Sequence, residues 1–68
     1  MSIYSAIQHI AGEKSISIYR IENDLNFSNG LIGKWNISDP KATNLQKVAD
    51  YLGVTTSYIL NRAREEDK

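Results

Sequence analysis

The sequence predicts an all-α fold, a compact bundle of five short helices. Apolar residues recur three and four positions apart in successive segments, as the 3.6-residue period of a helix requires. Residues that cap helices stand in front of these segments, and no segment alternates apolar and polar residues as a half-buried strand would. Because 68 residues allow only one small domain, nearly the whole chain must contribute to its core.

The first helix is predicted to begin after Ser2, a candidate N-cap. Its apolar side consists of Ile3, Ile7 and Ile10, and it should end near residues 12–15.

The second helix is predicted to begin after Ser17, another candidate N-cap. Its apolar side consists of Ile18, Ile21 and Leu25. Asn26 should end this helix, because Asn tolerates the left-handed backbone of a sharp turn better than most residues do.

The third helix is predicted between Ser28, which would supply a capping oxygen, and Asn36. Phe27 is expected to fill the angle between the second and third helices. The inward side of the third helix would consist of Leu31, Ile32 and Trp35. Its outward side would consist of Asn29, Gly30, Gly33, Lys34 and Asn36. Two helices joined in this way predict a helix-turn-helix, with a core of Ile21, Leu25, Phe27, Ile32 and Trp35.

The fourth helix is predicted from a capping box, Thr43 with Gln46, and should end at Gly53. Thr55 is expected to cap the fifth helix. The apolar side of that helix would consist of Tyr58, Ile59 and Leu60. Residues 64–68 form a charged tail, so the predicted domain spans residues 1–63.

Charge and composition limit the function classes. Eight basic residues balance eight acidic ones, so the chain lacks the strong positive field of many nucleic-acid-binding proteins. Residues 14–47 nevertheless hold five basic against three acidic residues, a local net charge of +2. Cysteine, a secretory signal and a membrane-spanning apolar run are all absent, which predicts a cytoplasmic protein without membrane contact.

No catalytic or metal site is predicted. No nucleophile has a base that the sequence can place beside it, and His9 has no companion at ligand spacing. We therefore expect a protein that is not an enzyme and that uses no cofactor, metal or small-molecule substrate.

Over roughly residues 3–62, the sequence resembles the Cro/CI-like helix-turn-helix domains of phage and bacterial repressors. The resemblance is carried by the turn at residues 26–28, the segment 32–35, the segment 45–54 and the triplet 58–60. It implies a lambda-repressor-like domain whose third helix enters the major groove of DNA. In size the chain is similar to a stand-alone Cro-type regulator, or to the small proteins that phages encode beside a repressor.

The resemblance also implies site residues. Base contacts would come from Asn29, Gly30, Gly33 and Lys34, with Asn29 suited to adenine and Lys34 to guanine or a phosphate. Phosphate contacts would come from Ser17, Ser28, Ser38, Lys41 and Asn44. The sequence departs from the family pattern at Ile18, Arg20 and Glu22, and the two glycines would each weaken the third helix by on the order of 1 kcal/mol.

Two functions remain open at this point. The first is a transcriptional regulator, part of a repressor/anti-repressor genetic switch, that binds operator DNA as a homodimer. The alternative is a modulator, or antirepressor, that forms a heterocomplex with a phage repressor and has weak or no DNA affinity of its own. The zero net charge, the two glycines and a candidate partner surface support the alternative, while the helix-turn-helix pattern favours the first. The candidate partner surface consists of Ile18, Tyr19, Ile37 and Tyr58.

Overall fold

The fold is made of helices. A computed structural model describes residues 2–65 of the chain and, for residue 65, the backbone alone. The elements are α1 (Ile3–Glu13), α2 (Ile18–Asp24), a 3-10 helix (Ile32–Asn36), α3 (Ala42–Leu52) and α4 (Thr56–Glu65). The all-α prediction is confirmed, and the described residues contain no strand. The prediction of five α-helices is wrong, because the third element is a short 3-10 helix.

Local residues begin the first two helices, and end the second, as predicted. The Ser2 hydroxyl accepts a hydrogen bond from the Ser5 N–H (3.1 Å), and the Ser17 hydroxyl accepts one from the Arg20 N–H (3.0 Å). Each bond satisfies an N–H group that has no partner within the helix. Asn26 follows α2 with a φ of 59°, in the left-handed conformation expected of it.

The predicted capping box of α3 is wrong. The helix begins at Ala42, directly after Lys41, whose extended backbone occupies the cap position without a side-chain hydrogen bond. Thr43 therefore lies within the first turn, beyond the position from which it could cap. Gln46 donates to the Asp50 carboxylate instead (2.8 Å), one turn further along α3.

The connection between α3 and α4 agrees with the prediction. Gly53 ends α3 with a φ of 74°, and the Val54 N–H bonds back to the Ala49 carbonyl (2.9 Å). The Thr55 hydroxyl then accepts a hydrogen bond from the Tyr58 N–H (3.0 Å) and so caps α4.

The core lies between α1, α4, the 3-10 helix and α3. α1 packs against both α4 and the 3-10 helix, and α3 packs against α4. The largest fully buried side chains are Ile7, Ile10, Ile21, Ile32, Val48 and Ile59. On α4, Ile59 is in this core but Tyr58 and Leu60 are 41% and 42% exposed, so the predicted apolar side of this helix is only partly right.

The predicted core of the helix-turn-helix lies inside the molecule. Ile21, Ile32 and Trp35 are buried, and Leu25 and Phe27 are half-buried against them. The Phe27 and Trp35 rings meet edge to face, with centroids 6.2 Å apart, so Phe27 occupies the angle between α2 and the 3-10 helix. At the other end of the chain, α4 includes the first two residues of the predicted tail, and residues 66–68 lie outside the described part.

Candidate nucleic-acid interface

The candidate interface is segment 29–37, which follows α2 through a turn and contains the 3-10 helix. In a 3-10 helix, side chains three residues apart lie above one another. Ile32 and Trp35 form the buried column of this helix. The other two columns are exposed. One is formed by Gly33 and Asn36, and the other by Lys34 and by Ile37, the residue that directly follows the 3-10 helix.

A buried carboxylate from α2 holds the start of this segment. Glu22 is only 4% exposed, and its two oxygens accept hydrogen bonds from the N–H groups of Gly30 (3.2 Å) and Ile32 (3.0 Å). A negative charge at the start of a helical turn is electrostatically favourable. Glu22 therefore fixes the position of the 3-10 helix relative to α2.

Ser28 does not have the capping role predicted for it. It is exposed, and the hydrogen bond from the Leu31 N–H goes to its backbone carbonyl (3.1 Å) rather than to its hydroxyl. The capping oxygens come from Glu22, six residues earlier in the chain. The helical segment also begins at Ile32 and not directly after Ser28, because residues 29–31 form a turn.

The two glycines have different roles, which corrects the expectation that both weaken a helix. Gly30 lies in the turn with a φ of +83°, a conformation that L side chains rarely adopt. Gly33 lies within the 3-10 helix, and a Cβ atom added there would meet nothing within 4 Å. Glycine is thus required by the fold at Gly30 but not at Gly33, where it leaves the backbone open to an approaching ligand.

The four residues predicted to contact bases lie together in this segment. Asn29, Gly30, Gly33 and Lys34 are all exposed. Asn36, at the end of the same face, accepts a hydrogen bond from the Ser2 hydroxyl (2.8 Å), which joins the start of α1 to the end of the 3-10 helix.

The residues predicted to contact phosphates lie on several elements. Ser17 caps α2, Ser28 precedes the turn, and Asn44 is half-buried in the first turn of α3. Ser38 and Lys41 are exposed in the loop before α3. Of these, Ser38 is directly connected to one of the residues predicted to contact bases, since its hydroxyl donates to the Lys34 carbonyl (3.1 Å).

The exposed charge around the segment is more positive than the composition shows. Within the described part of the chain, no ion pair occupies the lysines at positions 34, 41 and 47. Glu22, one of the three acidic residues of segment 14–47, is buried. Arg20 pairs with Asp24 (3.6 Å), so its charge is partly compensated.

A second contact fixes α2 from the other side. The Tyr51 hydroxyl of α3 donates a hydrogen bond to the Asp24 carboxylate of α2. This hydrogen bond, with a smaller contribution from burial, raises the pKa of Tyr51. Glu22 and Asp24 together join α2 to the 3-10 helix and to α3.

The predicted partner surface is scattered. Ile37 and Tyr19 are 91% and 67% exposed, whereas Ile18 packs against the core. Tyr58 lies on α4, where the Arg62 guanidinium sits over its ring, 5.8 Å from the centroid. The four residues thus come from three different parts of the fold.

Among residues 2–65, no pocket opens at the surface, and no three His, Cys, Asp or Glu residues group as a metal site would require. None of the helices formed by these residues is long and apolar enough to cross a membrane. Comparisons of the chain with protein-family models, with curated proteins and with solved structures found no match.

Proposed function

We propose that the protein is a sequence-specific DNA-binding regulator of the phage repressor type, which places the outer face of segment 29–37 in the major groove. The observation that carries this proposal is a segment whose backbone is fixed by hydrogen bonds and whose outward side chains have no partner among the described residues. Glu22 fixes the segment through two hydrogen bonds, while Asn29 and Lys34 form no hydrogen bond or ion pair with a described residue through their side chains. Such an arrangement suits direct readout of bases.

The side chains of the segment match groups on base-pair edges. The Asn29 amide can both donate to and accept from an adenine, and the Lys34 ammonium can donate to guanine O6 or N7. Gly33 presents backbone without a side chain, which lets the 3-10 helix approach the bases closely. Lys41 and Lys47, which form no ion pair with a described residue, and the exposed Ser28 would contact phosphates and hold the orientation.

A homodimer would compensate for the modest charge of one copy. Two-fold symmetric copies can contact half-sites about 34 Å apart, one helical turn of DNA, and the lysines of both copies then act together. In this proposal the protein works by binding alone, in the cytoplasm of a bacterial host, as one component of a repressor/anti-repressor switch.

A selection of random duplexes with the purified protein, at several fixed salt concentrations, tests the proposal. We expect enrichment of a palindromic site whose affinity falls as salt rises. Asn29→Ala and Lys34→Ala should each weaken binding by about 1–3 kcal/mol and relax specificity at one base pair. Lys14→Ala, which removes an exposed lysine at the end of α1, is the matched control and should leave the specificity unchanged. Absence of an enriched site even at low salt would contradict the proposal.

A second function is favoured by the exposure of Ile37 and Tyr19. In it, the protein is an antirepressor that binds a partner phage repressor through an apolar surface containing these residues and alters its hold on DNA. Repeating the selection in the presence of a purified phage repressor of the Cro/CI-like type separates the two functions. An antirepressor would select no site alone but would form a stable complex with the repressor and reduce its DNA binding.

A further inference from the structure

Ile37 is the most exposed large apolar side chain of the described residues, at 91%. It directly follows the 3-10 helix and continues its hydrogen-bonding pattern, since its N–H bonds to the Lys34 carbonyl (3.2 Å). The Ser38 N–H bonds to the same carbonyl (3.1 Å), and residues three apart share one side of the chain in both 3-10 and α-helical turns, so Ile37 follows Lys34 on the same side. Ile37 therefore belongs to the proposed DNA-contacting face.

Few other side chains project from that face. Gly30 and Gly33 have none, and the Asn36 side chain is already hydrogen-bonded to Ser2. Lys34 and Ile37 are thus the two long side chains on the outer face of the 3-10 helix that have no partner among the described residues. One carries a charge that suits a guanine edge or a phosphate, and the other is purely apolar.

We propose that Ile37 contacts the 5-methyl group of a thymine in the major groove, an inference that rests on the proposed DNA-binding function. The thymine methyl is the apolar group that base pairs present on their major-groove edge. Three residues of a 3-10 helix rise about 6 Å, and successive bases of one strand are about 3.4 Å apart. The thymine therefore lies within about two base pairs of the base pair that Lys34 contacts.

A uracil scan of the selected site tests this assignment. Each thymine is replaced in turn by uracil, which removes the 5-methyl group and leaves the base pairing unchanged. With the wild-type protein, one position should lose about fourfold in affinity, the equivalent of one buried CH₂ group. With Ile37→Ala, the same replacement should change affinity by less than about 1.5-fold, because the contact is already gone. Ile37→Val, which keeps a branched apolar side chain, should retain most of the effect.

Leu60→Ala is the matched control, since Leu60 is also an exposed apolar residue but lies on α4. Its uracil profile should match that of the wild type, whatever its overall affinity. Because Ile37 is almost fully exposed, its replacement should leave the fold intact, which a thermal melt can check.

Two outcomes overturn the inference and are distinguishable. If the selection enriches no site, the proposed function fails and the role of Ile37 fails with it. If a specific site is found but its uracil profile is flat, or is the same in wild type and Ile37→Ala, only the role of Ile37 fails. The second outcome would leave Ile37 as a candidate contact to a partner protein.

Discussion

Replacing Glu22 by Ala should destabilise the protein by about 2–4 kcal/mol. The carboxylate accepts two backbone hydrogen bonds, and a hydrogen bond to a charged group contributes roughly 1.5–3 kcal/mol. In the Ala variant, water can reach the partly buried Gly30 N–H, but the buried Ile32 N–H stays without an acceptor. Part of the loss is offset because a charged group no longer has to be buried.

Glu22→Gln separates the hydrogen bonds from the charge. The amide keeps one acceptor oxygen, which can serve Ile32, but it directs an NH₂ group toward the Gly30 N–H. We therefore expect a smaller loss, about 1–2 kcal/mol. Urea denaturation followed by circular dichroism gives the free energy of unfolding, and amide hydrogen exchange gives a local measure. In Glu22→Ala the Ile32 amide should lose more protection than the amides of α1, whereas in Glu22→Gln it should keep most of its protection.

Glu13→Gln is the matched control, because Glu13 is an exposed carboxylate whose described partner is Arg62. Its denaturation midpoint should stay close to that of the wild type. Equal midpoints for Glu22→Ala and Glu13→Gln would refute the structural role assigned to Glu22. Unchanged protection of Ile32 in Glu22→Ala would refute it as well.

The remaining predictions concern the core, the open glycine and one tyrosine. Trp35→Ala should destabilise the fold by about 3–5 kcal/mol in urea denaturation, because it removes a large buried side chain, leaves a cavity and abolishes the ring contact with Phe27. A loss below about 1 kcal/mol, the size expected for a surface substitution, would contradict this. Gly33→Ala should raise the free energy of unfolding by up to about 1 kcal/mol, and with it the melting temperature, but it should weaken specific DNA binding. Unchanged DNA affinity would exclude a close approach of the Gly33 backbone to the bases. Because the hydrogen bond to Asp24 raises the pKa of Tyr51, its contribution to stability is full below pH 10 and is lost as pH rises further. The midpoint difference between wild type and Tyr51→Phe should accordingly shrink above pH 10, and a constant difference would contradict the assignment.

The features that the sequence predicts correctly depend on neighbouring residues. Ser2, Ser17 and Thr55 each cap a helix by bonding to an N–H group three residues further on. Asn26 and Gly53 adopt the left-handed conformation, which Gly tolerates because it has no Cβ and which Asn tolerates better than most other residues. Such interactions lie within one turn of the chain, so a local pattern of residues is enough to find them.

The third helix could not be predicted in the same way, because its start depends on a residue from another element. Glu22 bonds to backbone groups eight and ten positions further along the chain. A signal was nevertheless present, since Glu22 stands four residues after Ile18 and next to Ile21, on the apolar side of α2. A charged residue in that position needs a buried partner, and the partner is the backbone of the turn.

The candidate site shows the same division. The exposure of Asn29 and Lys34 follows from the inward direction of Ile32 and Trp35, which a helical pattern predicts. The place of Ile37 does not, because the predicted outward side ends at Asn36, whereas the Ile37 N–H bonds to the Lys34 carbonyl and continues the helical turn. From the sequence, Ile37 is assigned to a candidate partner surface only because a small domain cannot bury all of its large apolar residues.

Fold and specificity are separable in this arrangement. The backbone of the segment is fixed by hydrogen bonds to the buried Glu22 and by the packing of Ile32 and Trp35 in the core. The side chains that would contact bases, Asn29 and Lys34, form no hydrogen bond or ion pair with a described residue. Changes at these two positions should therefore alter which DNA is bound while leaving stability nearly unchanged. Changes at Glu22 should alter both DNA binding and stability, because they displace the backbone that carries Asn29 and Lys34.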